Sequence, residues 1–172
     1  MAHSEQAEFC RRIAARWPHL FVDKRVVDCG ALDINGNNRY LFQRGTYVGI
    51  DIVAGPNVDI VTRIHDYTGG PFDVVISTEC FEHDEHFNLT FQKMIDMVSA
   101  DGLLLFTCAT IDRPEHGTKH HDAWASPGTH EHYRNIDPAE IVSRLRSSFR
   151  CWGVEVQHTD LYGWGIDPIR SN

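Results

Sequence analysis

Long apolar runs are missing from the 172-residue sequence. The longest, at positions 102–110, is far shorter than the roughly 20 residues that a membrane-spanning helix needs. The opening residues, Met1 to Gln6, are polar and lack the pattern of a signal peptide. We therefore expect a cytoplasmic protein that has no membrane partner.

An excess of basic residues and close cysteine pairs are also missing. Lysine and arginine total 16 against 24 aspartates and glutamates, a formal net charge of −8, whereas proteins that bind phosphate backbones usually carry a basic stripe. The five cysteines are scattered and include no C-x-x-C pair, which favours buried, reduced thiols over disulfides or a zinc cluster. Nucleic acid is therefore not expected as a partner.

What the sequence contains is an alternation of short apolar strands with helical patterns. Helices are predicted at 4–17, 39–43 and 87–98, with a break after the last of these at 100–102. Pro18 ends the first helix, and a final helix starts at Asp137 and Pro138, where Glu140 can complete a capping box. Strands are predicted at 25–28, 46–51, 58–61, 72–77, 103–109, 151–158 and 161–169.

These elements predict an α/β protein. Fully apolar strands between amphipathic helices are typical of a parallel sheet that is covered by helices on both faces. We expect a single domain, residues 1–172, built on a doubly wound, mostly parallel seven-stranded sheet. The long polar connection at 110–136, rich in histidine, glycine and proline, is expected to be a functional lid or a disordered insert.

Polar residues stand at the ends of four predicted strands, where open parallel sheets bind their ligands. Asp28-Cys29-Gly30 follows the first strand. Asp51 ends the second strand about 20 residues later, the separation at which an acid can hold both ribose hydroxyls. His65-Asp66 follows the third strand, and the segment 77–83 follows the fourth. Singly, each acid could be a helix cap or a turn residue, but together the four signals favour a ligand site.

Four segments also carry a resemblance to a known family: VVDCG (26–30), YVGID (47–51), FDVVISTECFEH (72–83) and ADGLLLFT (100–107). In order and spacing they resemble the class I S-adenosylmethionine-dependent methyltransferases, in particular the small single-domain, type 11-like ones, over roughly residues 24–110. The 72–83 block is the most specific, because the fourth strand followed by an acid, an apolar residue and Glu-His is characteristic of that family. The resemblance implies S-adenosylmethionine as the cofactor. It also implies methyl transfer to an acceptor. The acidic charge and small size of the chain favour a small molecule or a sugar as that acceptor, and the long loop at 110–136 is expected to close over it as a lid.

The resemblance further implies which positions hold the cofactor. The methionine half would lie against Asp28 and Gly30, with backbone contacts from Ala31 and Leu32. Asp51 would hold the ribose hydroxyls, while Ile52 would contact the adenine and Asp66 would face its amino group. The floor near the sulfonium and the acceptor would be lined by Ser77, Thr78 and Glu79.

The loop after the first strand departs from the family's pattern of two or three alternating glycines. Only Gly30 remains, Leu32 occupies the second place, and the next glycine is Gly36. A nicotinamide-dependent oxidoreductase, the alternative enzyme class, needs G-x-G-x-x-G here, and residues 30–35 supply only its first glycine. A non-catalytic module that binds the cofactor, a metal or a partner protein also stays open. The oligomeric state is not predicted.

Catalysis of methyl transfer depends first on holding acceptor, methyl carbon and sulfur in line. An oxygen acceptor also needs a base, and histidine suits that role near neutral pH. The predicted catalytic residues are His83 and Glu79, and Tyr133-Arg134-Asn135 is the part of the loop expected to touch the acceptor. Further candidate bases are His116, His120, His121, His130 and His132. The pairs His120/His121 and His130/His132 could bind a metal with their acidic neighbours, but an exposed lid explains them as well, and no metal site is predicted.

Overall fold

The central sheet is built from the apolar segments of the sequence, in the order β3-β2-β1-β4-β5-β7-β6. The computed structural model describes residues 4–170, so the ends of the predicted domain, residues 1–3 and 171–172, lie outside it. The strands are β1 (Val22–Cys29), β2 (Gln43–Asp51), β3 (Ile60–Val61), β4 (Phe72–Thr78), β5 (Val98–Ala109), β6 (Phe149–Gln157) and β7 (Asp160–Pro168). The helices are α1 (Ser4–Arg16), α2 (Phe87–Met97) and α3 (Pro138–Ser148).

The pairing of the strands sets where a ligand can bind. β1 pairs in parallel with β2 on one side and with β4 on the other, and β4 pairs in parallel with β5. β7 runs antiparallel to both β5 and β6. The chain therefore reverses its direction of winding between β1 and β4, and open α/β sheets bind ligands beside such a switch point.

Both faces of the sheet are covered, as predicted. α2 and α3 pack on one face through side chains that include Phe91 and Ile141, and α1 covers the other through Phe9 and Ile13. Burial of these apolar faces is the main force that holds the layers together. None of the helices within residues 4–170 has the length and apolar character needed to cross a membrane.

The helix boundaries follow from local chemistry, with one correction. α1 ends before Pro18, and α3 begins where the Asp137 carboxylate accepts a hydrogen bond from the Ala139 amide at 2.8 Å. The predicted capping box is not formed, because the Glu140 carboxylate instead pairs with Arg134 at 3.0 Å.

Two further predictions of local structure were wrong. β5 begins at Val98, so the expected break at 100–102 lies within the strand, beside an irregular pairing with β4. The predicted helix at 39–43 is a short 3₁₀ turn, Arg39–Leu41, and a second such turn, Ile64–Asp66, stands between β3 and β4. The half of the sheet that carries β2 and β3 is therefore connected by loops and turns rather than by full helices.

The 110–136 connection is anchored at both ends rather than loose. Thr110 forms a bridge with Ile136, and its hydroxyl donates to the Ile136 carbonyl at 2.6 Å. A second bridge joins Thr118 to His121 within the loop. These anchors hold the loop across the carboxyl ends of the strands.

Candidate functional site

A cavity of about 230 Å³ lies at the carboxyl ends of β1, β2 and β4. Its lining comes from the ends of these strands, from the 3₁₀ turn before β4 and from the 110–136 loop. The lining residues used below are Asp28, Gly30, Ala31, Leu32, Asn38, Asp51, Ile52, Arg63, His65, Thr78, Glu79, His83, Asp84, Glu85, Ser126, Gly128, Glu131 and His132.

Asp28 supplies a buried carboxylate at the end of β1. Its Oδ2 accepts a hydrogen bond from the Tyr47 hydroxyl and another from the Asn38 amide, the latter at 3.4 Å. Its Oδ1 is buried and has no hydrogen-bond partner within residues 4–170. Burial raises the pKa of Asp28 to about 6, although the hydrogen bonds from Tyr47 and Asn38 oppose the rise. A cationic group in the cavity would satisfy this oxygen.

Gly30 brings the backbone up to the cavity. Its φ of +78° is one that other residues rarely adopt, and a Cβ there would lie 2.5 Å from the Cys80 sulfur. Leu32 fills the place where the family usually has a second glycine, and it packs against Gly55, where an added Cβ would lie 2.4 Å from Leu32 Cδ1. The variant loop therefore keeps the one glycine that the turn requires.

Asp51 supplies the second carboxylate, at the end of β2. Its Oδ2 accepts from the Leu32 amide and its Oδ1 from the Val53 amide, each at 3.0 Å. Burial raises the pKa of Asp51, and these amide hydrogen bonds oppose the rise. Because each carboxylate oxygen can accept more than one hydrogen bond, Asp51 keeps capacity for a pair of ligand hydroxyls.

An apolar edge adjoins Asp51. Ile52 lines the cavity with 38% of its surface exposed. The 110–136 loop reaches this edge through Gly128, where a Cβ would lie 2.7 Å from Val53 Cγ2 and 3.2 Å from Ile52 Cδ1. The loop therefore packs against the apolar side chains of Ile52 and Val53 beside the Asp51 carboxylate.

Two predicted cofactor residues do not line the cavity. Ser77 is fully buried, and its hydroxyl donates to the Cys29 carbonyl at 2.7 Å, which ties β4 to β1. Successive residues of a strand point to opposite faces, so the side chain of the neighbouring Thr78, rather than that of Ser77, lines the cavity. Asp66 is exposed at the end of its 3₁₀ turn, and the turn presents His65 to the cavity instead.

Sequence reasoning missed the residues that hold Asp28. The Asn38 amide donates to Thr78 Oγ1 at 3.0 Å as well as to Asp28, and Tyr47 donates from β2. Tyr47 lies opposite Val26 in the β1–β2 register, so its side chain shares a face with Asp28 two residues further on. The alternation of side chains along each strand indicates which residues share a face. The contact between Tyr47 and Asp28 depends in addition on how β1 and β2 are aligned, which the sequence pattern does not give.

The predicted catalytic residues lie together at the end of β4. Glu79 adopts a φ of +54°, its amide donates to the Thr107 carbonyl at 2.9 Å, and its Oε1 accepts from the Thr107 hydroxyl at 2.7 Å. His83 is mostly buried, and burial together with the nearby His116 ring lowers the pKa of His83 to about 3. His83 is therefore neutral near neutral pH and can accept a hydrogen bond.

Behind His83 lies a buried cluster of Glu82, His83 and His116. One potential ligand atom from each residue lies within 4.8 Å of the others, which makes this a metal-capable group in the described part of the chain. Burial raises the pKa of Glu82 to about 8, and the Glu79 carboxylate adds to the rise, while weaker backbone contacts such as that from Ala109 oppose it. The side chains that sequence reasoning weighed as metal pairs do not form this cluster: His120 and His121 are exposed, and His132 lines the cavity.

The Tyr133-Arg134-Asn135 segment supports this cluster and does not line the cavity. The Tyr133 ring packs against the rings of His83 and His116, with centroid distances of 5.5 and 4.9 Å. Its hydroxyl donates to Asn135 Oδ1 at 2.9 Å, and Arg134 forms an ion pair with α3. These side chains therefore lie outside the cavity lining, and their contact with an acceptor stays a prediction.

A mostly parallel sheet with a cavity beside its switch point, and carboxylates at the ends of β1 and of the neighbouring β2, is the arrangement in which doubly wound α/β proteins bind nucleotide ligands. The chain belongs to the methyltransferase domain family, whose model matches residues 1–148. This membership and the observed sheet confirm the prediction of a class I methyltransferase fold. No curated protein matches the sequence significantly.

Solved structures with the same fold are distant in sequence. One is the Burkholderia thailandensis 1,6-didemethyltoxoflavin-N1-methyltransferase, solved with bound 1,6-didemethyltoxoflavin and S-adenosylhomocysteine (SAH). It is 15% identical to this chain with a TM-score of 0.63, and the alignment covers 92% of this chain and 78% of the methyltransferase. The DhpI–SAH complex is 16% identical, with coverage of 96% and 86% and a TM-score of 0.66. Magnesium protoporphyrin IX methyltransferase from Synechocystis, with bound S-adenosylmethionine, is 14% identical, with coverage of 94% and 79% and a TM-score of 0.61. The predicted cofactor agrees with the ligands of these neighbours.

Proposed function

We propose that this protein transfers a methyl group from S-adenosylmethionine to a small-molecule acceptor. The observation that carries the proposal is the pair of carboxylates, Asp28 and Asp51, at neighbouring strand ends around one cavity. Family membership supports the reaction, and the names of two structural neighbours describe methylation of small heterocyclic molecules.

The residues present fit the cofactor. The unpartnered Oδ1 of Asp28 suits the cofactor's ammonium group, and the backbone at Gly30 allows close approach of its methionine half. Asp51 has acceptor capacity for the two ribose hydroxyls, and the exposed apolar side chain of Ile52 next to it offers a surface for the adenine ring. When bound, S-adenosylmethionine supplies a methyl group that is already activated by its sulfonium.

The task of this chain is then to hold the acceptor in line with that methyl group. Glu79 and His83 line the end of the cavity that the cofactor's adenosine would leave free. Glu79 is fixed by Thr107, and the neutral imidazole of His83 can accept a hydrogen bond from an acceptor hydroxyl or amine. The 110–136 loop contributes Ser126, Gly128 and His132 to the lining, so it restricts the entry of water.

The charge of the lining favours a neutral or cationic acceptor. The carboxylates in it are those of Asp28, Asp51, Glu79, Asp84, Glu85 and Glu131. Arg63 is the permanently charged basic residue among the described lining residues, and it lies 3.6 Å from Glu85. Phosphate groups would meet an acidic surface here, so a nucleic acid acceptor is disfavoured.

Cofactor titration followed by an acceptor screen tests this function. Calorimetry should give one binding site for SAH and no binding of NAD⁺ at the same protein concentration. Incubation with S-adenosylmethionine and a panel of small hydroxyl- and amine-bearing heterocycles should then release SAH with at least one acceptor. Binding of NAD⁺ in preference to SAH would contradict the proposal, and SAH binding without turnover on a broad panel would favour a non-catalytic module.

A further inference from the structure

Glu82 is a buried carboxylate for which the protein itself provides little compensation. The residue is fully buried, and neither of its side-chain oxygens has a hydrogen-bond partner of ordinary geometry among the described residues. A buried carboxylate is normally paired, hydrogen-bonded or bound to a metal. Its neighbours show which of these the site is built for.

His116 presents a nitrogen lone pair to Glu82. The Pro114 carbonyl lies 3.1 Å from His116 Nδ1 and can only accept, so the ring proton is on Nδ1. Nε2 is then unprotonated, is buried, and lies 4.0 Å from Glu82 Oε1 with no hydrogen-bond partner in residues 4–170. A backbone carbonyl that fixes one nitrogen while the other points at an acid is the usual surrounding of a metal-binding histidine.

His83 completes the cluster from the side of the cavity. Its Nδ1 is buried and likewise without a hydrogen-bond partner in the part of the chain described. The His83 and His116 rings meet edge to face, with centroids 5.2 Å apart and planes at 89°. Gly117 makes this approach possible, because it has a φ of +63° and an added Cβ would lie 2.7 Å from His83 Cε1. The backbone is therefore shaped around the two rings.

We propose that Glu82, His83 and His116 bind one divalent transition-metal ion, of which Zn²⁺ is the best match, directly behind the His83 wall of the cavity. Two imidazoles and a carboxylate are a common set for zinc that leaves a fourth position open for water or substrate. His116 Nε2 and Glu82 Oε1 are 4.0 Å apart, which is too far for a direct hydrogen bond but leaves room for an ion between the two atoms.

His83 lines the cavity, whereas Glu82 and His116 lie behind it, so an ion bound here would help to hold an acceptor by fixing the His83 ring beside it. This role in holding the acceptor rests on the proposed methyl transfer, whereas the metal site itself rests only on the geometry of the three side chains. The two claims therefore need separate measurements.

The test uses the full chain, stripped of metal by a chelator, and titrated with ZnCl₂ in a calorimeter. We expect one tight site per chain. His116→Ala should bind the metal more weakly by at least the roughly 100-fold upper value for loss of an outer-shell partner, and so should Glu82→Gln, which keeps the shape of the side chain but cannot provide a carboxylate ligand. His120→Ala/His121→Ala is the matched control, because both residues are exposed histidines of the same loop and should leave the tight site unchanged.

Thermal unfolding with Zn²⁺ and absorption spectra with Co²⁺ test the metal site independently of the calorimetry. Zn²⁺ should raise the Tm of the wild-type protein and of the His120→Ala/His121→Ala control, but not that of His116→Ala. Co²⁺ in place of Zn²⁺ should give visible absorption bands that His116→Ala abolishes. SAH titrations of the same proteins should show one site throughout, so that a failure of the metal site is distinguishable from a failure of cofactor binding. The absence of a tight wild-type site, or equal tight binding by His116→Ala, would overturn the proposal.

Discussion

Asp28 shows how a single residue at the end of a strand can be tuned for a ligand at some cost in stability. Burial raises its pKa to about 6, so the folded protein binds a proton more tightly here than the unfolded chain does. The contribution of a group with a raised pKa is fully present below its unfolded value and is lost as the pH rises through the folded value. Asp28 should therefore reduce the stability of the ligand-free protein progressively between about pH 4 and pH 6.

Asp28→Asn separates the two roles of this residue. The free energy of unfolding of the variant should exceed that of the wild type by on the order of 1–3 kcal/mol at pH 7, with a flatter dependence between pH 4 and pH 6. Its affinity for SAH should fall by roughly tenfold or more, because the ammonium loses its charged partner. Chemical denaturation across this pH range and calorimetry check both effects. Lower stability with unchanged SAH affinity would mean that Asp28 is only structural.

Gly30 is the residue at which the backbone turns tightly and a ligand can approach it closely. Gly30→Ala should cost about 1–3 kcal/mol of unfolding free energy, because the φ of +78° is strained for alanine and the new Cβ meets Cys80. The double variant Gly30→Ala/Cys80→Ala removes the sulfur and should recover part of the loss. Thermal unfolding measures both, and a neutral effect of Gly30→Ala would show that the turn is not as tight as described.

At the scale of elements, α3 depends on the capping residue that directly precedes it. Asp137 accepts the amide hydrogen bond of Ala139 at 2.8 Å, and the capping box that would have supported it is absent because Glu140 is engaged with Arg134. Asp137→Ala should therefore destabilise the protein by about 1 kcal/mol, whereas Asp137→Ser, which keeps a capping oxygen, should cost much less. Equal denaturation midpoints for the two variants would contradict the role of the cap.

The 110–136 loop is the second element with a testable role. Gly128 lies against Ile52 and Val53, so Gly128→Ala should push the loop away from the cavity edge and weaken SAH binding several-fold. Trp124→Ala is the control, because Trp124 belongs to the same loop, is 61% exposed and does not line the cavity. Hydrogen exchange of the loop, with and without SAH, measures the opening. Equal SAH affinity of both variants would argue against a lid.

The elements also show where sequence patterns succeed and fail. Apolar runs and helix signals predicted all seven strands and the three helices. The signal was strongest for β4 and β5, because burial on both faces of the sheet leaves a nearly continuous apolar run in the sequence. The patterns failed where tertiary contacts decide the outcome. Examples are the start of β5 inside a predicted break and the loss of the capping box at Glu140 to an ion pair.

At the scale of the whole molecule, the position of the site followed from topology. Acids at strand ends were predicted to meet at the switch point, and Asp28 and Asp51 do line one cavity. Ser77 was assigned to the wrong side of its strand, and Tyr47 was missed, because the facing of a side chain depends on strand register. The Glu82, His83 and His116 cluster could not be predicted, because the fold of the 110–136 loop brings His116 back to the end of β4.

The central claim is that a nucleoside lies across the strand ends with its ribose held by Asp51. The most direct measurement compares the binding of SAH and of its analogue that lacks the ribose 2′-hydroxyl to wild type, Asp51→Ala and the exposed-acid control Asp66→Ala. We expect Asp51→Ala to lose roughly 10- to 100-fold in affinity for SAH and to lose the preference for SAH over the analogue, with Asp66→Ala like wild type. Unchanged SAH affinity in Asp51→Ala would contradict the account.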